Sequence, residues 1–340
     1  MNTIIAQNKE WIDSTWAKVD QKLSRTAVKS RNKLPYTTIR GTHDDKFVTS
    51  PTWWTNGFWG GMMWLMYEAT GNDLSFTRNY LAAATLFSRF NYAGDFIRAW
   101  NDSWDGHDNS GFSIIDCLMN LPLLYWASEE IGDDRFKQIA MRHADMAMRD
   151  HIRPDGSVNH IVDHEVDRPG IKQILGGQGY DNTSCWSRGL AWAVYGSIIS
   201  YIHTGKEDYL EAAKKTANYF IEHCEKTDYL PVVDFCAPAT PVYYDSTAGV
   251  CTACGLLEIA KYVSEEEGRR YTEAAINILK ACDEHFCNYE EDEDALVLMG
   301  TERYPHNEKE AKGLHIPIIY GDFFFVEALC KLRGSKFFIW

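Results

Sequence analysis

The chain has no apolar run of the roughly 18 to 20 residues that a membrane-spanning helix needs. Its first residues, MNTIIAQNKEWIDSTW, lack the basic start and apolar middle of a secretory signal. A cytoplasmic protein without a membrane partner is therefore expected. Positive charge is scarce: 34 Lys and Arg face 48 Asp and Glu, a formal charge of −14. A nucleic-acid backbone needs a basic surface, so nucleic acid is not an expected partner. Long polyanions are disfavoured too, whereas a short acidic ligand held by one local arginine is compatible with this charge. The nine cysteines are odd in number and show no framework spacing, which fits reduced thiols rather than a disulfide scaffold. One CxxC, Cys251 to Cys254, stands in STAGVCTACGLLEIAKY. No second CxxC or matching histidine pair completes a zinc set, so core packing is the favoured reading over metal or redox chemistry.

What the chain does have is aromatic weight, with 12 Trp and 18 Tyr, and a recurring unit. YEATGND (67–73), SEEIGDD (128–134) and YIHTGKED (201–208) each end an aromatic-rich segment with a glycine and acidic residues; YVSEEEGRRY (262–271) is a looser fourth copy. Glycine suits the left-handed position just past a helix end, which assigns that role to Gly71, Gly132, Gly205 and Gly268. Amphipathic segments such as YLEAAKKTANYFIEH follow, with apolar residues at three- and four-residue steps. The unit is thus a helical hairpin. Five aromatic-rich helices are expected near 57–70, 117–131, 189–204, 248–262 and 322–332, and five amphipathic ones near 6–25, 74–90, 134–150, 207–224 and 269–286. Strands are few, and long loops precede the aromatic-rich helices, where function tends to gather. Residues 1–340 read as one all-α domain, a closed (α/α) toroid of hairpins with its loops on one face.

The loops hold the candidate site. Trp54, before a helix that Thr55 or Asn56 can cap, and Trp100, in FIRAWND, each read as a sugar-stacking indole or as packing. Trp59 reads as core. His160 and His164 are four apart, a metal-binding interval on a helix, but Pro154, Gly156 and Asn159 point to a loop or hairpin and no third ligand is evident. GGQGYDNTSCWSRGLAW gathers Gln178, Trp186, Arg188 and Trp192. Arg188 suits a carboxylate bound through two parallel hydrogen bonds, or pairs with an internal acid. Asp116 lies in the apolar run SIIDCLMNLPLLYWA. Ser113 and Asp116 fit a capping box, but Pro122 would then fall inside the helix. A helix starting at Leu121, with Asn120 as N-cap, removes that conflict and frees Asp116 as an acid whose apolar neighbours favour its protonated form. Cap and catalyst both remain open on this reading.

WTNGFWGGMMWLMYEATG, IRAWND, SIIDCLMNLPLLYWA, residues 177–192, YDSTAGVCTACGLLEIA and IYGDFFFVEALCKL occur in that order. Together they resemble glycoside hydrolase family 88, the unsaturated glucuronyl hydrolases, from about residue 35 to the C-terminus. The resemblance implies an (α/α)6 barrel and a hydration reaction without metal or organic cofactor. Its substrate is an oligosaccharide bearing the unsaturated uronic acid that a polysaccharide lyase leaves at the non-reducing end. The resemblance further implies that Asp116 is the acid/base. Trp54, Trp100, His160, Gln178, Trp186, Arg188 and Trp192 match substrate-binding positions, and Tyr304 matches a tyrosine near the outer subsite.

The family also has a second essential aspartate, in a His-His-Asp-φ-Gly-Phe type motif that this sequence lacks. The hairpin count gives five pairs where the barrel needs six. Both point to one deletion near residues 72–76, with imperfect ring closure as its consequence. Asp108, in HDNSGF, is a weak substitute for the lost carboxylate or a solvated turn, and Asp105 a weaker one. Three functions follow in order: a hydrolase of unsaturated uronyl oligosaccharides, an impaired relative that binds them without turnover, and a helical scaffold for protein partners.

Overall fold

The computed structural model describes residues 2–30, 33–50, 53, 55–68, 83–100, 108–336, 338 and 340. The chain divides into two compact units. The first comprises Met1–Asn72, His223–Val233 and Ala239–Ile339; the second comprises Asp73–Glu222, Asp234–Pro238 and Trp340.

In the first unit the helices α1 (Lys9–Lys29), α2 (Asn56–Glu68), α7 (Ser246–Ile259), α8 (Glu265–His285) and α9 (Ile319–Leu332) form the framework. Helix α7, STAGVCTACGLLEI, is buried along its whole length, and α9 is buried except at Lys331. A helix apolar on all sides is stable only inside. Small residues let neighbours approach: a Cβ at Gly249 would lie 2.8 Å from Pro231 Cγ and 3.0 Å from Ile278 Cγ2. Phe58 of α2 packs at 5.3 to 5.8 Å from the rings of Tyr320, Phe323 and Phe324. Each such buried aromatic contributes on the order of 2 kcal/mol. Helix α8 shows the other composition, burying Tyr271, Ala275, Ile278 and Leu279 on one face and carrying its charges on the other. Trp59 is core as expected, 5% exposed and edge-on to His43.

In the second unit two hairpins stand out. Helices α3 (Leu121–Ile131) and α4 (Asp134–Asp150) join at Gly132, and α5 (Ser187–Thr204) and α6 (Glu207–Glu225) join at Gly205. Both glycines are left-handed C-caps, with φ of 68° and 67°. Gly71 lies outside the described residues. Gly268 differs: helix α7 ends at Ala260, and α8 begins earlier, behind a capping box of Ser264 and Glu267. Gly268 therefore sits inside the first turns of α8, where a Cβ would meet the Ala260 carbonyl oxygen at 2.9 Å. The amphipathic helix expected near 74–90 lies largely outside the described residues, of which 83–87 are helical. The proposed deletion point at 72–76 is also outside them.

A small antiparallel sheet completes this unit, ordered β1 (Phe112–Ile114), β2 (Ile161–His164), β3 (Ile171–Leu175). Its register pairs Ile114 with Ile161, and the Ile115 N–H then donates to the His160 carbonyl at 3.1 Å. Asp116, just past the end of one strand, and His160, just before its neighbour, are thus brought together by pairing alone. A 3-10 turn, Ile115–Met119, follows β1 and leads to α3, whose N-cap is Asn120 and whose first turn holds Pro122. Leu118 of that turn rests on α5 at Gly196, where a Cβ would be 2.5 Å from Leu118 Cβ.

Candidate active site

Asp116 sits in the first turn of the 3-10 segment. The capping-box reading fails, because Ser113 belongs to β1 and its hydroxyl faces His151 Nε2 at 2.8 Å and His164 Nε2 at 2.9 Å. Asp116 is left free of a capping role. Its side chain is 25% exposed, yet Oδ2 itself is buried and has no hydrogen-bond partner. His160 Nε2 stands 3.4 Å from it. A buried carboxylate oxygen without a donor is costly, which makes Asp116 a candidate for a functional position.

His160 is 6% exposed and held from behind. The backbone N–H of Gln178 donates to its Nδ1 at 2.9 Å. On the other side its ring meets Trp186, 4.5 Å between centroids, and the guanidinium of Arg188 lies 4.6 Å from the Trp186 ring centroid. A cation over an indole face is an attractive arrangement. Asp116, His160, Trp186 and Arg188 therefore form one continuous line, with Gln178 fastening its middle. Trp192 follows Arg188 by four residues on α5, the interval that shares a helix face, and is 3% exposed. Trp100 is half-buried and edge-on to Phe112 of β1, 6.3 Å between centroids.

Tyr304 belongs to the first unit, buried between Tyr243 at 5.5 Å and His306 at 5.2 Å. Trp54 and Asp105 lie outside the described residues. Asp108 is exposed and accepts the Ser110 N–H at 2.9 Å, a bond that holds its carboxyl below the usual range; it is a solvated turn. His160 and His164 have different neighbours, Asp116 and Gln178 for one, Ser113 and Asp150 for the other. Among the described residues no group of three or more His, Cys, Asp or Glu is placed to hold a metal ion. None of their helices is long and apolar enough to cross a membrane. Cys251 and Cys254 are both fully buried in α7.

Two features escaped the sequence. Asp234, 4% exposed, organises the loop behind His160: it accepts from Ser184 Oγ at 2.6 Å and from the Tyr180 and Cys236 N–H groups at 2.9 Å. Burial pushes its carboxyl up. It lies 50 residues from Ser184, and no local pattern announces it. The second is a set of buried histidines: His151 and His164 flank Ser113, and His143, which accepts the Ile97 N–H, is close enough to feel their charge.

No family model matches the chain. Curated relatives do. An unsaturated glucuronyl hydrolase of Bacillus sp. (strain GL1) is 31% identical over 348 aligned positions, covering 87% of this chain and 90% of that protein. An unsaturated chondroitin disaccharide hydrolase of Streptococcus pneumoniae is 29% identical, covering 86% of this chain and 85% of that protein. Among solved structures, an unsaturated glucuronyl hydrolase from Bacillus sp. GL1 superposes with a TM-score of 0.85 at 27% identity, over 95% of this chain and 97% of that one. The Streptococcus agalactiae enzyme gives 0.84 at 25% identity, over 96% and 92%. The all-α, (α/α)6-barrel type of fold expected from the sequence is that of these neighbours. One disparity stands out in the first alignment. Since 87% of 340 residues is about 296, about 52 of its 348 positions are filled by the relative alone.

Proposed function

The chain belongs to the unsaturated glucuronyl hydrolase family, and from that premise we propose how its site works. It is a glycoside hydrolase. Its substrate is a short oligosaccharide, from glycosaminoglycan or a similar polymer, that carries an unsaturated uronic acid at the non-reducing end. Asp116 gives a proton to C4 of the C4=C5 vinyl ether, the oxygen of water bonds to C5, and the proton that water loses returns to the Asp116 carboxylate. The hemiketal so formed opens and releases the adjoining sugar. The observation that carries this reading is the placement of Asp116: partly exposed, with a buried unpaired oxygen beside His160.

The other roles follow from side-chain chemistry. Arg188 holds the uronyl carboxylate. Trp54, Trp100, Trp186 and Trp192 supply apolar faces and indole donors to the sugar ring, and His160 and Gln178 supply polar contacts. Tyr304 serves an outer subsite. Residues 1–340 act as one barrel domain, and nine cysteines outside any disulfide support a reducing, cytoplasmic setting.

A second reading has its own support. The relative fills roughly 52 aligned positions that this chain does not, and the sequence lacks the family's other aspartate. On that reading the chain binds uronyl sugars without turnover. Incubation with unsaturated chondroitin, hyaluronan and heparin disaccharides, followed by the absorbance of the double bond, decides between the two. A falling signal supports hydration. A flat signal from folded protein that still binds the disaccharide in calorimetry establishes the impaired relative.

A further inference from the structure

Behind the acid stands a residue with no side chain of its own. Gly177 has φ of +61°, a left-handed conformation that side-chain-bearing residues rarely adopt. A Cβ there would collide with Nδ1 of His160 and lie 2.7 Å from its Cε1. The backbone of 176–178 therefore runs flush against the imidazole. That approach lets the Gln178 N–H reach Nδ1 at 2.9 Å. The Gly176 carbonyl is also near Nδ1, but farther away at 3.3 Å. An N–H donor can only be accepted by a nitrogen lone pair. Nδ1 is thus the unprotonated nitrogen of the neutral ring, and the proton sits on Nε2, the atom 3.4 Å from the unpaired Oδ2 of Asp116.

We propose that Gly177 is a positioning residue: it allows the Gln178 N–H to lock His160 in the Nε2–H tautomer, so that this N–H faces Asp116. The consequence concerns the proton transfer to C4. As Asp116 releases its proton, negative charge develops on its carboxylate. An N–H donor standing 3.4 Å from Oδ2, not yet a hydrogen bond in the unliganded protein, can close on that charge and stabilise it more than the neutral acid. With the other tautomer, a lone pair would face the developing anion. The inference rests on the reading of Asp116 as the acid, but the tautomer is a property of the unliganded protein and is measured apart from turnover.

The test is two-bond proton–nitrogen correlation spectroscopy on protein labelled with nitrogen-15 histidine, at mildly alkaline pH. The signal lost in His160→Gln identifies His160 among the eleven histidines. The expected pattern is that of an Nε2–H imidazole, with Nδ1 as the bare nitrogen. An Nδ1–H pattern overturns the proposal. Gly177→Ala is expected to add the second tautomer and to lower kcat on an unsaturated disaccharide by about tenfold or more, with KM little changed. A folded Gly177→Ala protein with native kcat also overturns it. The tautomer in the native chain decides even where Gly177→Ala fails to fold. If the native chain shows the Nε2–H pattern but never consumes the double bond, it is the proposed reaction that fails, not this assignment of the ring.

Discussion

Asp116 in the second unit and Asp322 in the first are both aspartates in the first turn of a helical segment, and they are held in opposite ways. Asp322 is 1% exposed, and its two oxygens accept the Leu296 and Val297 N–H groups at 3.0 and 2.8 Å. Burial nevertheless pushes its carboxyl up to about 7. Asp116 is partly open, and its buried oxygen is matched to nothing but a histidine edge. An acid with both oxygens satisfied by backbone ties two segments together. An acid left unsatisfied at the edge of a sheet gives the fold little and is available to a substrate. Burial alone therefore does not distinguish the two carboxylates; the hydrogen bonds each one accepts do.

The largest expected effect tests that contrast directly. Asp116→Asn should lower turnover of an unsaturated disaccharide by about a thousandfold or more, while its melting temperature stays close to native. Following double-bond absorbance beside a thermal melt checks both halves. Unchanged turnover, or a large loss of stability, would place Asp116 with Asp322 rather than opposite it.

The next effect concerns protons. In the second unit burial holds His143 down to about 3 and His151 to about 4, and lowers His164 as well. Below an unfolded value near 6.5, the unfolded chain takes up protons that these folded rings refuse. The unfolded state then binds more protons, so stability falls as pH drops from about 6.5 toward 4, by up to on the order of 3 kcal/mol per histidine. Asp322 works the other way. Its folded carboxyl stays protonated to about 7, whereas the unfolded one ionises near 3.8, so over that window it favours the folded state as pH falls. Thermal melts from pH 7.5 to 4 should therefore fall toward acid, and fall more steeply in Asp322→Asn. A shallower curve in that variant would break the assignment.

A smaller effect measures what Asp322 does for the fold. Asp322→Ala strands two buried N–H groups, which should cost about 2 kcal/mol in urea unfolding at neutral pH. Turnover per folded molecule should be retained, the reverse of the Asp116→Asn outcome.

Much of this contrast was legible in the sequence, for local reasons. Pro122 forces the helix to start at Leu121, and that alone removes Asp116 from a capping role. Gly132 and Gly205 end helices because the chain must turn left-handed there. The misreadings share a cause. Ser113 resembles a cap by spacing, but strand pairing with Val162 turns it toward two histidines that lie 38 and 51 residues away. Gly268 resembles the other C-cap glycines, but it serves a close approach to Ala260 inside a helix. Asp234 fastens its loop across 50 residues. Spacing reports chain neighbours; these residues are defined by neighbours in space.

The smallest expected effect separates two uses of the same backbone conformation. Gly205 and Gly177 both have positive φ, 67° and 61°. A Cβ at Gly205 would meet nothing within 4 Å, whereas at Gly177 it would strike the His160 ring. Gly205→Ala therefore carries only the backbone cost of a left-handed alanine, about 1 kcal/mol, and should lower the urea midpoint slightly with kcat intact. Gly177→Ala adds a collision to the same backbone cost, so it should lose at least as much stability and, unlike Gly205→Ala, lose turnover per folded molecule. Equal kcat in the two variants would mean that Gly177, like Gly205, is there only to turn the chain.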